Sequence, residues 1–290
     1  MTDVRCVFET KGLLGEGPLW DPADGVLWWL DIFAPAIHRF DPATGENTTR
    51  PLDQPIYAMV LREGGGMLNC FEDGIGTVDF ETGEISIFAD PKDAALVNYN
   101  DGACDRRGRF FTGTMAKDWE TSIGKLFRLD ADHSVHEMAD GFCISNGCGW
   151  SPDNKTFYFS ESIDRTVWAW DYDIKTGRMS NRRRFAQIPE AESGIADGLT
   201  VDSEGYVWLA LWDGWRIVRF APDGSVDSEI KTPIQRPTSV MFGGPDLKTL
   251  YFTSATYRLE EADLASQPQA VSPFACEPGV AGLPEPRWKG

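Results

Sequence analysis

The stretch NGCGWSPDNKTFYFSESIDRTVWAWDYDIKTGR (146–178) holds two strongly apolar bursts, TFYFSE and TVWAWDY, behind a shorter one, GCGW. Between them lie SPDN, SIDR and IKTG, whose Pro, Asp, Asn and Gly are turn formers. Short bursts rich in Val, Phe, Tyr and Trp, punctuated in this way, predict short antiparallel strands. The spacing of three and four that marks an amphipathic helix is missing.

The same unit recurs on both sides. Upstream it reads EGPLWDPADGVLWWLDIFAPAIHRFDPATGE (16–46), a weaker YAMVLREGGGMLNCFEDGIGTVDFETGE (57–84), and DGACDRRGRFFTGTM (101–115) continuing to KLFRLDADHS. Downstream come DGLTVDSEGYVWLALWDGWRIVRFAPDGS (197–225) and TSVMFGGPDLKTLYFTSATYR (238–258). Each copy has three apolar strands and a more polar fourth, such as EISIFAD or MSNRRRFAQ. Four strands in a repeat of roughly 40 to 50 residues are the blade of a β-propeller. Six units fit the 290 residues, and no linker or composition shift divides them. The expected fold is therefore all-β: one domain over 1–290, six four-stranded antiparallel blades around a central channel. Residues 4–9, without a partner in the first copy, should pair into the blade that contains 249–255 and so remove an open edge. The Pro-rich tail, 259–290, should finish that blade and a surface loop.

Composition narrows the function. With 27 Lys and Arg against 45 Asp and Glu, the net charge is −18. That excludes a partner whose phosphates must be neutralised by clustered cations, nucleic acid and anionic membranes alike. No apolar run is long enough to span a bilayer. The start, MTDVRCVFET, has neither a basic segment nor an apolar core, so a cytoplasmic protein is expected. The six cysteines lack CxxC spacing and read as reduced thiols, Cys143 and Cys148 included. Of three histidines (38, 133, 136), His133 and His136 fall in the acidic turn LDADHSVHEMAD, a solvated position. There is no HExxH, no GxSxG and no phosphate-binding glycine loop. Most of the 11 tryptophans suit inter-blade packing, with Trp119, Trp212 and Trp215 as candidates to line a pocket.

Aligning the repeats puts Glu16, Tyr57, Asp101, Asn146, Asp197 and Thr238 at one register, 41, 44, 45, 51 and 41 residues apart. First strands of a propeller line its channel, so one register is a ring at one height. Every member carries oxygen. The carboxylates among them would repel one another and resist burial unless a cation compensates. Glu16, Asn146 and Asp197 form an all-oxygen set suited to calcium, magnesium or manganese, and acceptable to zinc. Singly, an Asp or Asn before Gly is a common turn former. Glu16, in G-E-G-P, is a poor one.

The segments GEGPLW (15–20), NDGACDRRGRFFTGTM (100–115), ISNGCGWSPD (144–153), WDYDIKTGRMSNRR (170–183), ADGLTVDSEGYVW (196–208) and FGGPDLKTLYFTSA (242–255) resemble the senescence marker protein/gluconolactonase family, which includes regucalcin and bacterial sugar lactonases. The likeness covers nearly the whole chain in the family's order. It implies a six-bladed propeller that hydrolyses aldonolactones with one divalent metal, calcium or zinc first, with magnesium, manganese and iron(II) open. The family's metal ligands fall on Glu16, Asn146 and Asp197. Its substrate-binding asparagine falls on Asn100, and an acidic substrate contact on Asp118. At Asn98 the regucalcin-like members have an arginine that touches the sugar, a departure that bears on specificity.

The chemistry this implies is attack of a metal-activated water on the lactone carbonyl, with Asp197 as general base. Asn98, Asn100 and Asp118 would surround the sugar. Three other readings stand beside a small-molecule sugar lactone: a calcium-binding regulator without turnover, an organophosphate or aryl-ester hydrolase, and a protein-interaction propeller.

Overall fold

Each repeat folds as a four-stranded antiparallel sheet in a computed structural model that describes residues 3–290. In the first blade the strands are Gly15–Asp21, Val26–Asp31, Ala36–Asp41 and Glu46–Pro51, in that order. The second, VLWWLD, is buried at every position, whereas the fourth, ENTTRP, is largely exposed. That gradient explains why the inner strands read as continuous apolar runs. Blades pack against both of their faces, so no position is spared for solvent. Turns of the D-x-x-T-G kind close on themselves, as where Gly45 N–H donates to Asp41 O at 2.8 Å. The glycine there takes φ 76°, a left-handed conformation that costs a glycine little.

The remaining innermost strands are Ile56–Leu61, Val97–Cys104, Ser145–Trp150, Ile195–Val201 and Pro237–Gly243. All six carry a β-bulge near the end from which they enter the channel, called here the upper end. In the fourth blade Ser145 pairs with Glu161 and Cys148 with Phe159, so Asn146 and Gly147 together oppose one residue. The same count holds for Asn100 with Asp101, Asp197 with Gly198, and Thr238 with Ser239. A bulge re-aims side chains and ends regular pairing, which is how a strand can turn polar groups into the channel.

The ring closes as expected, over a shorter stretch. Arg5–Cys6 pairs antiparallel with Phe274–Cys276, the third strand of the sixth blade, with Arg5 opposite Ala275 and Cys6 opposite Phe274. A short helix, Glu261–Ser266, precedes that strand. Among the described residues no helix is long and apolar enough to cross a membrane.

The tail departs from expectation. Only Phe274–Cys276 belongs to the blade, and residues 277–290 run across the lower end of the channel. Gly282 N–H donates to Leu247 O at 2.8 Å, and Ser203 N–H to Ala281 O at 2.9 Å. On the far side Trp288 N–H donates to Leu61 O at 2.8 Å and Lys289 N–H to Gly108 O at 3.1 Å. Arg287 reaches Asp21 at 2.6 Å. The strap so touches five blades, and Trp288 is wholly buried beneath it. Such pairing is irregular in sequence, so no periodicity announces it.

Candidate functional site

The bulges divide the channel into two chambers. The upper one holds about 110 Å³ of space, room for several waters or a small ring. Glu16, Tyr57, Asn100, Asn146, Ser162 and Asp197 supply its polar groups, and Phe33, Met115, Ile144, Trp119 and Trp212 are among its apolar lining. The lower chamber is lined by later residues of the same strands, together with Asp101 and, from the strap, Glu285 and Pro286.

Four of the six aligned residues therefore meet in one chamber, and two do not. Asp101 is the second member of its bulge and lines the lower chamber, while Asn100, the first member, lines the upper. The register set by D-G in the third blade is thus one residue out. Thr238 donates its hydroxyl to Gly15 O at 2.6 Å and shares a hydrogen bond with the Thr253 hydroxyl at 2.8 Å, tying blades together instead of lining the cavity. Glu16 also sits differently: it still pairs with Leu30, and its bulge follows at Gly17 and Pro18.

The glycines after Asn146 and Asp197 have a packing role. A Cβ on Gly147 would lie 2.1 Å from Leu199 N, and one on Gly198 2.2 Å from Ser239 Oγ. N-G and D-G are here mid-strand contacts between neighbouring blades, so the turn-former reading does not apply to either.

The floor gathers carboxyl groups without a cationic partner. Burial, and then Asp101, pushes the Glu16 carboxyl up to about 8. Burial also holds Asp197 well above the usual carboxylate range, with Glu16 and Asp101 adding to the rise, while Asn146 and the Gly198 N–H oppose it. Burial raises Asp101 to about 6. No Lys or Arg is among the groups that set these values. Half-buried Glu16, buried Asp197 and the amide of buried Asn146, whose Nδ2 donates to Ser162 Oγ at 3.2 Å, make an oxygen donor set of the kind that takes a divalent cation. The residues fit the expected metal.

The other expected residues divide. Asn100 donates from Nδ2 to Ser145 O at 2.7 Å, which fixes its amide in the chamber. Asn98 lies two residues earlier, regularly paired with Met115 before the bulge, and is not among the residues that line the chamber. Its Oδ1 is buried with no donor among the described residues. Asp118 does not line the chamber. Its Oδ1 accepts from the N–H of Glu120 and of Thr121 at 3.0 Å each, and the Thr121 hydroxyl bonds its other oxygen. Those bonds hold its carboxyl down to about 2 and brace the turn in which Trp119 adopts φ 61°. A short aspartate spends its oxygens on its own turn, so it supports Trp119 and does not reach the cavity.

Trp119 and Trp212 line the chamber, whereas Trp215 is exposed elsewhere. Sequence reading missed Phe33, Ser162 and Ile163, which come from loops after the second strands and carry no motif. None of the three histidines lines the chamber: His38 stacks on Trp29 and is held down to about 4 by burial, and His136 lies on the surface beside Asp130.

Residues 14–256 match the SMP-30/Gluconolactonase/LRE-like region. The chain is 35% identical to 6-deoxy-6-sulfogluconolactonase of Pseudomonas putida over 99% of both chains. It is 38% identical to a pentonolactonase of Haloferax volcanii, covering 98% of this chain and 97% of that one. Among solved structures, a calcium-binding protein, regucalcin, from Agrobacterium tumefaciens superposes with a TM-score of 0.93 at 28% identity, over 100% of this chain and 98% of the other.

Proposed function

We propose that this chain, which belongs to the SMP-30/Gluconolactonase/LRE-like family, opens a sugar lactone to its aldonic acid with the aid of one divalent cation. The observation that carries this reading is the pair of carboxyls without a cationic partner, half-buried Glu16 and buried Asp197, in a chamber that Trp119, Trp212 and Phe33 also line. Glu16, Asn146 and Asp197 would hold the cation, calcium or zinc in the first instance, with magnesium, manganese or iron(II) compatible with the same oxygens. When bound, it supplies an electrophile for the lactone carbonyl.

The chain's own residues do the rest. Asp197 takes a proton from the attacking water as general base. Asn100 orients a sugar hydroxyl from its fixed amide, and Asn98, two residues earlier with its Oδ1 buried, would act on the sugar from behind Asn100. Asp118 acts indirectly, by bracing Trp119. No nucleophilic side chain is needed. The Asn100 amide favours a polyhydroxylated substrate, because an apolar ester would leave its oxygen unpaired in the chamber. Six unpaired thiols suit a cytoplasmic setting.

The test is a panel of aldonolactones offered to metal-depleted protein, with each divalent ion added back. Turnover restored by one or more ions supports the reading. A protein that binds calcium yet opens no lactone under any ion would be a regulator, and one that turns over only aryl or phosphate esters would be the other hydrolase.

A further inference from the structure

The turn 256–259 leaves the sixth blade and packs, through Tyr257 on Phe33 and through Arg258 on Trp119, against two residues that line the upper chamber. It is firmly built. Thr256 and Tyr257 both donate their N–H groups to Leu13 O at 2.9 Å, and the Thr256 hydroxyl donates to Gly12 O at 2.9 Å. The Arg236 guanidinium donates to Tyr257 O and is itself held by Asp213 at 2.6 Å. Leu259 N–H closes the turn on Thr256 O at 2.9 Å.

This frame presents one side chain. Arg258 is set at φ 61°, and its guanidinium carbon lies 4.5 Å from the centre of the Trp119 ring and 5.2 Å from that of Tyr257. Tyr257 in turn packs on Phe33, with ring centres 4.4 Å apart. Phe33 and Trp119 both line the chamber, from the first and third blades. Trp119 and Arg258 are both left-handed, a conformation that costs bulky residues energy and persists where surrounding structure enforces it, often at ligand clamps.

Arg258 also differs from its neighbours in charge pairing. Arg236 is paired with Asp213, and Arg216 with Glu192 and Glu229. Among the described residues no carboxylate forms an ion pair with Arg258. A guanidinium laid on aromatic faces keeps its edge N–H groups free, and that edge matches a carboxylate or sulfonate two bonds at a time. In a chain of net charge −18, with acids on the chamber floor, a free cation at the rim is what would admit an anion there.

The geometry points to Arg258 as a specificity-determining residue that receives an anionic group on the end of the sugar remote from the lactone carbonyl. The substrate class is then acidic sugar lactones, carboxylated or sulfonated at the terminal carbon, and this rests on the lactonase reading above. With the carbonyl at the floor, the terminal carbon points toward the rim.

D-glucaro-1,4-lactone and D-glucono-1,4-lactone differ only in a terminal carboxylate against a hydroxymethyl group, and a 6-sulfonated gluconolactone adds the sulfonate arm. The wild-type protein is expected to favour the acidic lactones over the neutral one by tenfold or more in kcat/KM, with the preference shrinking as salt rises. Whichever anion is favoured more strongly identifies the source. In Arg258→Met the acidic preference should fall at least tenfold through KM, and Arg258→Lys should restore part of it. Equal handling of acidic and neutral lactones by wild type, or a preference that survives Arg258→Met, overturns the proposal. If neither lactone is opened, the lactonase reading falls, and calorimetric binding of D-glucarate against D-gluconate to wild type and Arg258→Met decides the role of Arg258. A glucarate advantage that Arg258→Met removes supports it, and its absence overturns it.

Discussion

Asn100 and Asp101 are adjacent in the chain and face different chambers of the same channel, one above the bulge and one below. Their separation puts a negative charge beneath the floor that Glu16 and Asp197 form, where it raises the carboxyls of both. Asp101 is itself raised to about 6 by burial. A carboxyl with a folded-state value above its unfolded one keeps its proton longer when folded, so stability is lost as pH rises from about 4 through 6. The metal-free protein should therefore melt at lower temperature at pH 7 than at pH 5. Asp101→Asn should recover on the order of 3 kcal/mol at pH 7 and little at pH 4. Calorimetric melts of both proteins after chelation decide this, and parallel pH profiles would contradict it.

Asp197 and Glu16 differ in what their loss should do. Asp197→Asn retains shape and an oxygen but loses charge and basicity, so turnover should fall at least about 10²-fold even at saturating metal. Glu16→Gln should weaken metal binding and recover more activity in excess metal. Turnover across a metal titration, with circular dichroism as folding control, separates the two roles.

Asn98→Arg would put a long cation beside Asn100 where a short amide now leaves an acceptor unpartnered. The ranking of lactones by kcat/KM should change, with contacts to ring hydroxyls altered. A ranking that is unchanged in an active variant would place Asn98 outside the substrate's reach.

Trp288 anchors the strap from a fully buried position, stacked on Phe88 with ring centres 5.8 Å apart. Trp288→Ala should cost about 3–5 kcal/mol, typical of a large aromatic removed from a packed site. Denaturant unfolding measures it. Lactone kinetics in the surviving folded fraction should change little, because the strap lies at the end of the channel away from the upper chamber.

The blades were legible because a propeller repeats its hydrophobic pattern, and six copies of one pattern outweigh noise in any single copy. Glu16, Asn146 and Asp197 were legible for the same reason, since equivalent registers meet at one height. The bulges were not. They place two residues opposite one, and an alignment on D-G set Asp101 where Asn100 belongs. Asp118 lies off the chamber lining because its oxygens are spent on Glu120 and Thr121, which a motif position does not reveal. The strap was unreadable because hydrogen bonds between an irregular segment and distant loops leave no period in the chain. Arg258 lies in a turn with no motif of its own.

Residues 277–290 lie across the lower end of the channel, away from the chamber that Trp119 lines. An acid formed at the floor then has its open side past Trp119, the side from which the next molecule comes in. Crowding on that side, by product or by an unreactive sugar acid, would throttle the cycle. A tag or surface tether attached after Gly290 would sit on the opposite side of the disc and leave the traffic undisturbed.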